Sequence, residues 1–327
     1  MIISGKAPAV SASYIRTEGR SGAFLSMTER SQGEMREITE KEVWSRIPLR
    51  EEDSHKGMFG KLLIVAGSKK YRGAAALATE GALRTGVGIT VLASVEEIYA
   101  GIQGRMPEAI CLPCAANASG SISSSNSSML INELSQDYTA LLMGPGMVNC
   151  PDTRELVRSV IPAAGCDVIL DADALNVCAQ SGLPQPAAGR HLIITPHPGE
   201  MARLTGQSIP QIKEDPEKTA VEFAAANRCV VVLKQHRTIV AGPDGQTWIN
   251  TSGNSGLARG GSGDILAGMM ASMLAQGMAP VDAAICSVWL HGRAAERCSE
   301  RRSETVMLPH DLFRTLGKMY LEQGPFR

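Results

Sequence analysis

The strongest constraint on the fold is a series of short, continuously apolar segments, each followed by a turn that contains Gly, Pro or Asp. They are LLIVA at 62–66, GITVLAS at 88–94, ALLMG at 140–144, DVILD at 167–171, HLIIT at 191–195 and VVVLK at 230–234. Strands that are apolar throughout are typical of parallel sheets, because helices cover both faces. A helical pattern starting at residue 73 separates the first two segments and completes a βαβ unit. The sequence therefore predicts an α/β fold with a central, mostly parallel sheet and helices on both faces.

The C-terminal part of the pattern predicts a hairpin and three helices. TIVAG at 238–242 and TWIN at 247–250 are separated by a Pro-Asp-Gly turn, which favours an antiparallel hairpin near the sheet edge. Helical patterns follow at 264–277 and 281–296, with a weaker one from residue 310. The serine-rich stretch 115–128 predicts a mobile surface loop.

The N-terminal residues lack any convincing hydrophobic period. Residues 1–43 are rich in Ser, Gly, Arg and Glu, so we expect a flexible extension, or an upstream segment before a start near Met27 or Met35. Residues 44–327 are then expected to form one domain. No apolar stretch resembles a signal peptide or a membrane span, which leads us to expect a cytoplasmic protein.

Charge and composition exclude several kinds of partner. The 32 Lys and Arg residues nearly balance the 33 Asp and Glu residues, so the net charge is −1. Nucleic-acid and anionic-membrane binding need a basic excess, so neither partner is expected. The eight cysteines are scattered, and only Cys111 and Cys114 have motif spacing. Without a second ligand pair for zinc, we interpret them as reduced, mostly buried thiols.

The most informative motif is the glycine-rich segment 253–264, GNSGLARGGSGD, which leads directly into an apolar helix. A glycine-rich approach to a helix N-terminus directs unpaired N–H groups at one point, and such a point binds phosphate. We therefore predict an anion hole at Gly261, Ser262 and Gly263. The alternative is that Asp264 only caps the helix and the glycines only form a turn. The segment is not a Walker A motif, because no Lys-Ser/Thr follows the glycines, and it lies too late in the chain for a Rossmann fingerprint.

Three further motifs follow predicted strands, where open α/β sheets bind their ligands. Two prolines bracket His197 and fix the backbone around it, although a structural histidine is the alternative. The turn Gly144-Pro-Gly146 exposes backbone, or is simply tight. Asp171 and Asp173 could hold Mg²⁺ through water or could cap a short helix.

Read together, these motifs resemble those of the NAD(P)H-hydrate dehydratases of the ribokinase-like superfamily. The matching segments run in family order: 56–68, 73–77 with 82–88, 144–146, 171–175, 195–200, 233–238 and 260–264. The resemblance implies repair of the S epimer of hydrated NADH and NADPH (NADHX and NADPHX) with ADP or ATP as phosphoryl donor and Mg²⁺, ADP being favoured. It also implies a homotetramer, and a separate epimerase as a functional partner.

The resemblance also implies roles for individual residues. Asp264 is the expected catalytic residue, and the hydrated cofactor is expected to contact Ala74, Gly146, His197 and Asp264. The adenine nucleotide is expected at Lys234, Gln235, His236, Arg237, Thr238 and Gly263.

The chain departs from the family pattern at three places, and two alternative functions stay open. Gln235 stands where glycine is usual, Met147-Val148 replaces Leu-Gly, and Arg259 replaces a small residue or threonine. Arg259 could add charge near the phosphates or face solvent. The alternatives are a kinase of the same superfamily acting on a vitamin-precursor alcohol, and a nucleotide-binding regulator without catalysis.

Overall fold

One mixed sheet organises the protein, whose computed structural model describes residues 35–324. Within this range the order of its strands is β1-β10-β9-β8-β7-β6-β5-β2-β3-β4. The strands are β1 (Arg36–Glu37), β2 (Lys61–Val65), β3 (Ile89–Val95), β4 (Ile110–Cys114), β5 (Ala140–Met143), β6 (Asp167–Leu170), β7 (Leu192–Ile194), β8 (Val230–Leu233), β9 (Thr238–Ala241) and β10 (Thr247–Asn250). All six predicted strands and the predicted hairpin are confirmed.

The strands from β4 to β8 pair in parallel, as the continuously apolar pattern predicts. In β2, Leu63 lies opposite Val91 of β3 on one side and Leu141 of β5 on the other. These residues are almost completely buried, which requires cover on both faces of the sheet. The pairs β8–β9 and β9–β10 are antiparallel, and β1 adds a parallel strand beyond β10.

The helices follow the predicted alternation with the strands. They are α1 (Glu40–Arg46), α2 (Arg72–Arg84), α3 (Tyr99–Gln103), α4 (Ser127–Leu134), α5 (Pro151–Ala163), α6 (Asp173–Cys178), α7 (Pro198–Thr205), α8 (Ile209–Glu214), α9 (Pro216–Asn227), α10 (Ser262–Ala275), α11 (Pro280–Arg302) and α12 (Leu312–Glu322). Helix α10 is buried along most of its length and packs against α2, α11 and the strands β2, β5 and β6. No helix within residues 35–324 is both long and apolar enough to cross a membrane.

Helices α2 and α10 touch backbone to backbone. A Cβ atom added to Gly268 would lie 2.0 Å from the carbonyl oxygen of Ala78, and one added to Gly81 would lie 2.7 Å from the carbonyl oxygen of Ile265. Real Cβ atoms do not approach other atoms so closely, so only glycine fits at either position. The two helices are therefore fixed against each other without side chains between them.

The sequence places the start of the fold too late. Arg36 and Glu37 pair with β10, and Thr39 caps α1, which packs on α11. Residues 36–43 thus belong to the folded part, and a boundary at residue 44 is wrong. The cause is that β1 is short and polar, so it has no apolar pattern of its own. The proposed extension at 1–34 lies outside the described residues.

The serine-rich stretch 115–128 is more ordered than a mobile loop. Asp152 accepts hydrogen bonds from the Ser124 amide (2.8 Å) and from the Asn117 side chain (2.9 Å). The Asn126 side chain bonds the backbone of Ala115 in both directions, and α4 begins at Ser127. Short polar side chains here bond the backbone of the loop instead of solvent. All eight cysteines are free and six are buried, as expected.

Candidate active site

The predicted site residues meet along one edge of the sheet. Parallel strands end at the same edge, so the residues that follow β5, β6, β7 and β8 become neighbours although they are distant in sequence. These are Gly144 to Gly146, Asp171, Thr195 to His197, and Lys234. Helix α10 begins at this edge beside the middle of α2, where Gly261 faces Leu77 and Ile265 faces Gly81.

A buried ion pair lies at the centre of the edge. The Asp171 carboxylate is 1% exposed and accepts hydrogen bonds from Lys234 Nζ at 2.7 Å and from the Thr195 hydroxyl at 2.6 Å. Burial opposes the charge of Lys234, but Asp171 and other nearby carboxylates outweigh it and raise the pKa of the lysine. These contacts join the residues that follow β6, β7 and β8, and they hold the positive charge of Lys234 in a fixed position.

His197 is held in a single orientation by the start of α7. Its Nδ1 accepts hydrogen bonds from the Gly199 amide (2.9 Å) and the Glu200 amide (3.3 Å). The Glu200 carboxylate in turn accepts from the His197 amide at 2.8 Å, which completes a capping box. Because Nδ1 is an acceptor, the proton of the neutral ring is on Nε2. Burial, aided by the charge of Lys234, lowers the pKa of His197, so this neutral form is favoured.

Glu200 is the main acidic residue that the sequence reasoning missed. Its side chain is almost fully buried, and burial raises its pKa to about 7 although Lys234 opposes the effect. Oε1 lies 3.5 Å from Nε2 of His197. Its position three residues after the helix-capping His197 is the capping-box spacing, and that signal could have identified it.

The glycine-rich turn leaves several amides free. Gly261 adopts a left-handed conformation with φ 97° at the N-cap, and no side chain caps α10. Within residues 35–324 the N–H groups of Gly261, Gly263 and Asp264 have no hydrogen-bond partner, whereas that of Ser262 donates to the Arg259 carbonyl oxygen. The alternative that Asp264 only caps the helix is therefore wrong. Three free amides at the positive end of a helix dipole form a site suited to phosphate.

Asp264 lies on the first turn of α10, and the pKa of its carboxyl is higher than that of an ordinary aspartate. Burial raises the pKa of its carboxyl to about 6, and the negative charge of Asp171 adds to the effect while Lys234 opposes it. A carboxylate with a pKa near neutrality is a better proton acceptor than an ordinary aspartate, and it is still mostly ionised at pH 7.

A cavity of about 820 Å³ opens beside the glycine-rich turn. Of the residues predicted to bind nucleotide, five line it and Arg237 does not; the five are Lys234, Gln235, His236, Thr238 and Gly263. Arg259 also lines the cavity, and its guanidinium donates to the Thr305 carbonyl oxygen at 2.6 Å. This volume is in the range of small-molecule sites.

A buried histidine on α11 also faces this cavity. His291 is 6% exposed, and its Nε2 lies 3.4 Å from the Ser262 hydroxyl. Burial lowers the pKa of His291 to about 4, so the ring is neutral. Nothing in the sequence distinguishes it from other residues of an apolar helix, and the prediction missed it.

None of the four residues predicted to contact the hydrated cofactor lines this cavity, and two of them, Ala74 and Gly146, lie against each other. Gly146 has φ 65°, and a Cβ atom added to it would lie 2.8 Å from Cβ of both Ala74 and Tyr71. Val148 also has a positive φ, 70°, and its amide donates to Asp173 at 2.8 Å. In the family pattern this position is usually glycine. Valine at this position is a β-branched residue in a strained backbone conformation.

The two aspartates after β6 are already engaged. Asp171 binds Lys234 and Thr195, Asp173 binds the Val148 amide, and neither side chain caps α6. No cluster of three metal-binding side chains occurs within residues 35–324. A magnesium ion would therefore depend on phosphate oxygens and water for most of its ligands.

A mostly parallel sheet with an uncapped, glycine-rich helix start at its carboxyl edge places the protein among the ribokinase-like proteins. The family model described as NAD(P)H-hydrate dehydratase matches residues 62–318, and the chain belongs to this family. The resemblance and the fold predicted from the sequence are thus confirmed.

Individual relatives agree with this assignment. The chain is 36% identical to the ADP-dependent (S)-NAD(P)H-hydrate dehydratase of Bacillus subtilis over 286 residues, which cover 86% of this chain and 96% of the relative. It is also 36% identical to the bifunctional NAD(P)H-hydrate repair enzyme Nnr of Moorella thermoacetica, over 82% of this chain but only 50% of that protein.

A solved structure shares the fold over its whole length. The B. subtilis ADP/ATP-dependent NAD(P)H-hydrate dehydratase, co-crystallised with ATP and Mg²⁺, superposes with a TM-score of 0.80 at 34% identity. The match covers 89% of this chain and 100% of the other.

Proposed function

We propose that the protein uses ADP or ATP to dehydrate the S epimer of hydrated NADH and NADPH, restoring NADH and NADPH. The observation that carries the proposal is the position of Asp264. Its carboxyl has a raised pKa, it follows the free amides of Gly261 and Gly263 at the start of α10, and Gly263 lines a cavity of nucleotide size. The names of the relatives support the same reaction.

Asp264 acts first. The hydroxyl oxygen of the hydrated ring bonds to the terminal phosphorus of the nucleotide, the bond from that phosphorus to the leaving nucleotide breaks, and the hydroxyl proton passes to Asp264. A carboxyl with a pKa of about 6 can accept this proton at neutral pH and release it afterwards. Phosphorylation is needed because hydroxide is a poor leaving group.

Backbone amides and Lys234 stabilise the transferred group. The free N–H groups of Gly261, Gly263 and Asp264 are fixed before substrate binds, so no reorganisation is needed as negative charge moves. Lys234 Nζ lies 3.4 Å from the point that a Cβ atom of Gly263 would occupy, which places its charge at the same spot. Positioning and charge stabilisation are the main contributions to phosphoryl transfer.

His197 and the ring nitrogen complete the elimination. His197 presents an Nε2–H donor, so it binds and orients an acceptor group of the hydrated nicotinamide and does not act as a base. The ring nitrogen lone pair expels phosphate, and loss of a proton from the neighbouring carbon restores the dihydronicotinamide. The products are NAD(P)H, phosphate, and AMP when ADP is the donor.

The site fits a magnesium ion held mainly by the nucleotide. Asp171 and Asp173 lie near enough to Asp264 to act on its charge, and carboxylate oxygens that are not hydrogen-bonded would hold such an ion through water. When bound, the ion neutralises phosphate charge during transfer.

The proposal also covers the oligomeric state, the cellular location and a partner enzyme. We propose a cytoplasmic homotetramer that works with a separate epimerase supplying the S epimer. The bifunctional name of the Moorella relative supports a link to a second repair activity. Light scattering of the purified protein tests the tetramer, and a monomer would contradict it.

One spectrophotometric assay tests the reaction. Hydrated NADH is mixed with protein and ADP or ATP, and recovery of NADH absorbance is measured together with released phosphate. We expect both to appear in equal amounts. The Asp264→Ala variant should lose turnover and keep nucleotide binding, whereas Asp244→Asn, in the exposed β9–β10 turn, should remain active. Phosphorylation of a vitamin-precursor alcohol instead, or nucleotide binding without phosphate release, would overturn the proposal.

A further inference from the structure

Four consecutive exposed residues, Lys69, Lys70, Tyr71 and Arg72, lie between β2 and the first turn of α2; we call them the basic turn. Three carry positive charge, and the Tyr71 side chain is 44% exposed. Within residues 35–324 none of the three cations forms an ion pair with a carboxylate. A chain with a net charge of −1 thus places three uncompensated positive charges on one short segment.

The basic turn is held in a fixed conformation. The Lys69 amide donates to the Gly120 carbonyl oxygen at 2.7 Å, and the Tyr71 amide donates to the Ser68 carbonyl oxygen at 3.1 Å. Nε of Arg72 donates to the Lys69 carbonyl oxygen at 3.1 Å. Because these bonds exist before a ligand arrives, little conformational entropy of the backbone is lost on binding.

The basic turn lies beside Gly146 and Ala74, two of the residues predicted to contact the hydrated cofactor. Cβ of Tyr71 and Cβ of Ala74 both lie 2.8 Å from the point where a Cβ atom of Gly146 would be. A side chain at Gly146 would collide with both residues, so glycine is what allows the basic turn to lie this close to the turn after β5. None of the four residues lines the nucleotide cavity, which has Lys234 and Arg259 as its own cations. The protein therefore offers two separate groups of positive charge, one in the nucleotide cavity and one on the basic turn.

The negative charge of the two substrates explains why the protein has two groups of positively charged residues. Under the proposed function, on which this inference rests, the phosphoryl donor and the hydrated dinucleotide are both polyanions that must bind together. We propose that Lys69, Lys70 and Arg72 bind the phosphates of the hydrated dinucleotide while Tyr71 packs its ring against the same molecule. The basic turn then determines affinity for the dinucleotide and favours the NADPH form, whose ribose phosphate adds negative charge.

The triple variant Lys69→Ser, Lys70→Ser, Arg72→Ser tests the assignment. We expect KM for hydrated NADPH to rise about tenfold, since three exposed ion pairs each contribute a factor of about two. The rise for hydrated NADH should be smaller. The KM for ADP and kcat should stay unchanged, and added salt should raise KM for hydrated NADPH less in the variant than in the wild type.

A matched control removes the same amount of charge elsewhere. Lys41→Ser, Lys213→Ser, Lys318→Ser alters three exposed lysines on α1, α8 and α12, and KM for hydrated NADPH should not change. An unchanged KM in the basic-turn variant, or an equal rise in the control, would overturn the inference while the wild-type reaction still stands. Absence of turnover in the wild type would instead refute the proposed function.

Discussion

Replacing Asp264 by Asn should stabilise the folded protein while abolishing turnover. The carboxyl has a pKa of about 6 in the folded protein against an ordinary 3.8, so ionising it costs the folded state up to about 3 kcal/mol. No hydrogen bond of the Asp264 side chain occurs within the part of the chain that the structure describes, so Asn breaks none there. The cost exists because burial and the Asp171 charge both disfavour a second carboxylate at this site.

The size of the effect depends on pH, whereas its sign does not. A folded-state pKa above the unfolded value means that the wild-type carboxyl favours folding most at pH below 3.8 and loses that contribution as pH rises through about 6. The Asn side chain does not titrate. The advantage of the variant should therefore grow by about 1.4 kcal/mol between pH 5 and pH 8 and then stay constant.

Urea unfolding of both proteins at a series of pH values measures this difference. The pH dependence is the decisive quantity, because it cancels every effect of the substitution except the loss of the titrating group. A stability difference that is independent of pH, or one that shrinks as pH rises, would show that the carboxyl is not destabilised by burial. In the wild type, kcat should fall as pH drops through about 6, since the proton acceptor becomes protonated.

Four other substitutions give further tests. Lys234→Met should lower the free energy of unfolding by about 3 kcal/mol, measured in urea, because its buried carboxylate partner loses its counter-charge. His197→Asn should keep stability within about 0.5 kcal/mol, as Asn also caps helices, yet raise KM for the hydrated cofactor. Val148→Gly should raise the melting temperature, since glycine relieves about 1 kcal/mol of backbone strain. Gly292→Ala should weaken ADP binding in calorimetry, because its Cβ would lie 2.3 Å from the Ser252 hydroxyl; Gly317→Ala, in open space on α12, should not.

The sheet and the edge that carries the candidate site could be predicted because both follow from local pattern. Continuous apolar segments identify parallel strands, and the ends of such strands must meet at one edge. His197 and the turn after β5 were found in this way. The start of α10 was found from its glycines, whose free amides are a direct consequence of a helix end without a capping side chain.

The remaining parts depend on contacts between distant residues. Asp171 and Lys234 are 63 residues apart, and nothing in either segment indicates that the two form a buried pair. Strand β1 is stabilised by β10, more than two hundred residues later, so its own polar sequence gives no signal. His291 acquires its environment only from the packing of α11 beside the glycine-rich turn.

The backbone contact between α2 and α10 has a consequence for which molecules the protein can process. Helix α2 begins at the basic turn, and helix α10 begins at the free amides that we propose bind the nucleotide phosphates. Since glycine allows no intervening side chain at Gly81 and Gly268, the spacing between these two starting points cannot be adjusted by rotamer changes. Acceptors of different length can then be accommodated only by the loops beyond the helices, which is where we expect members of the family to differ.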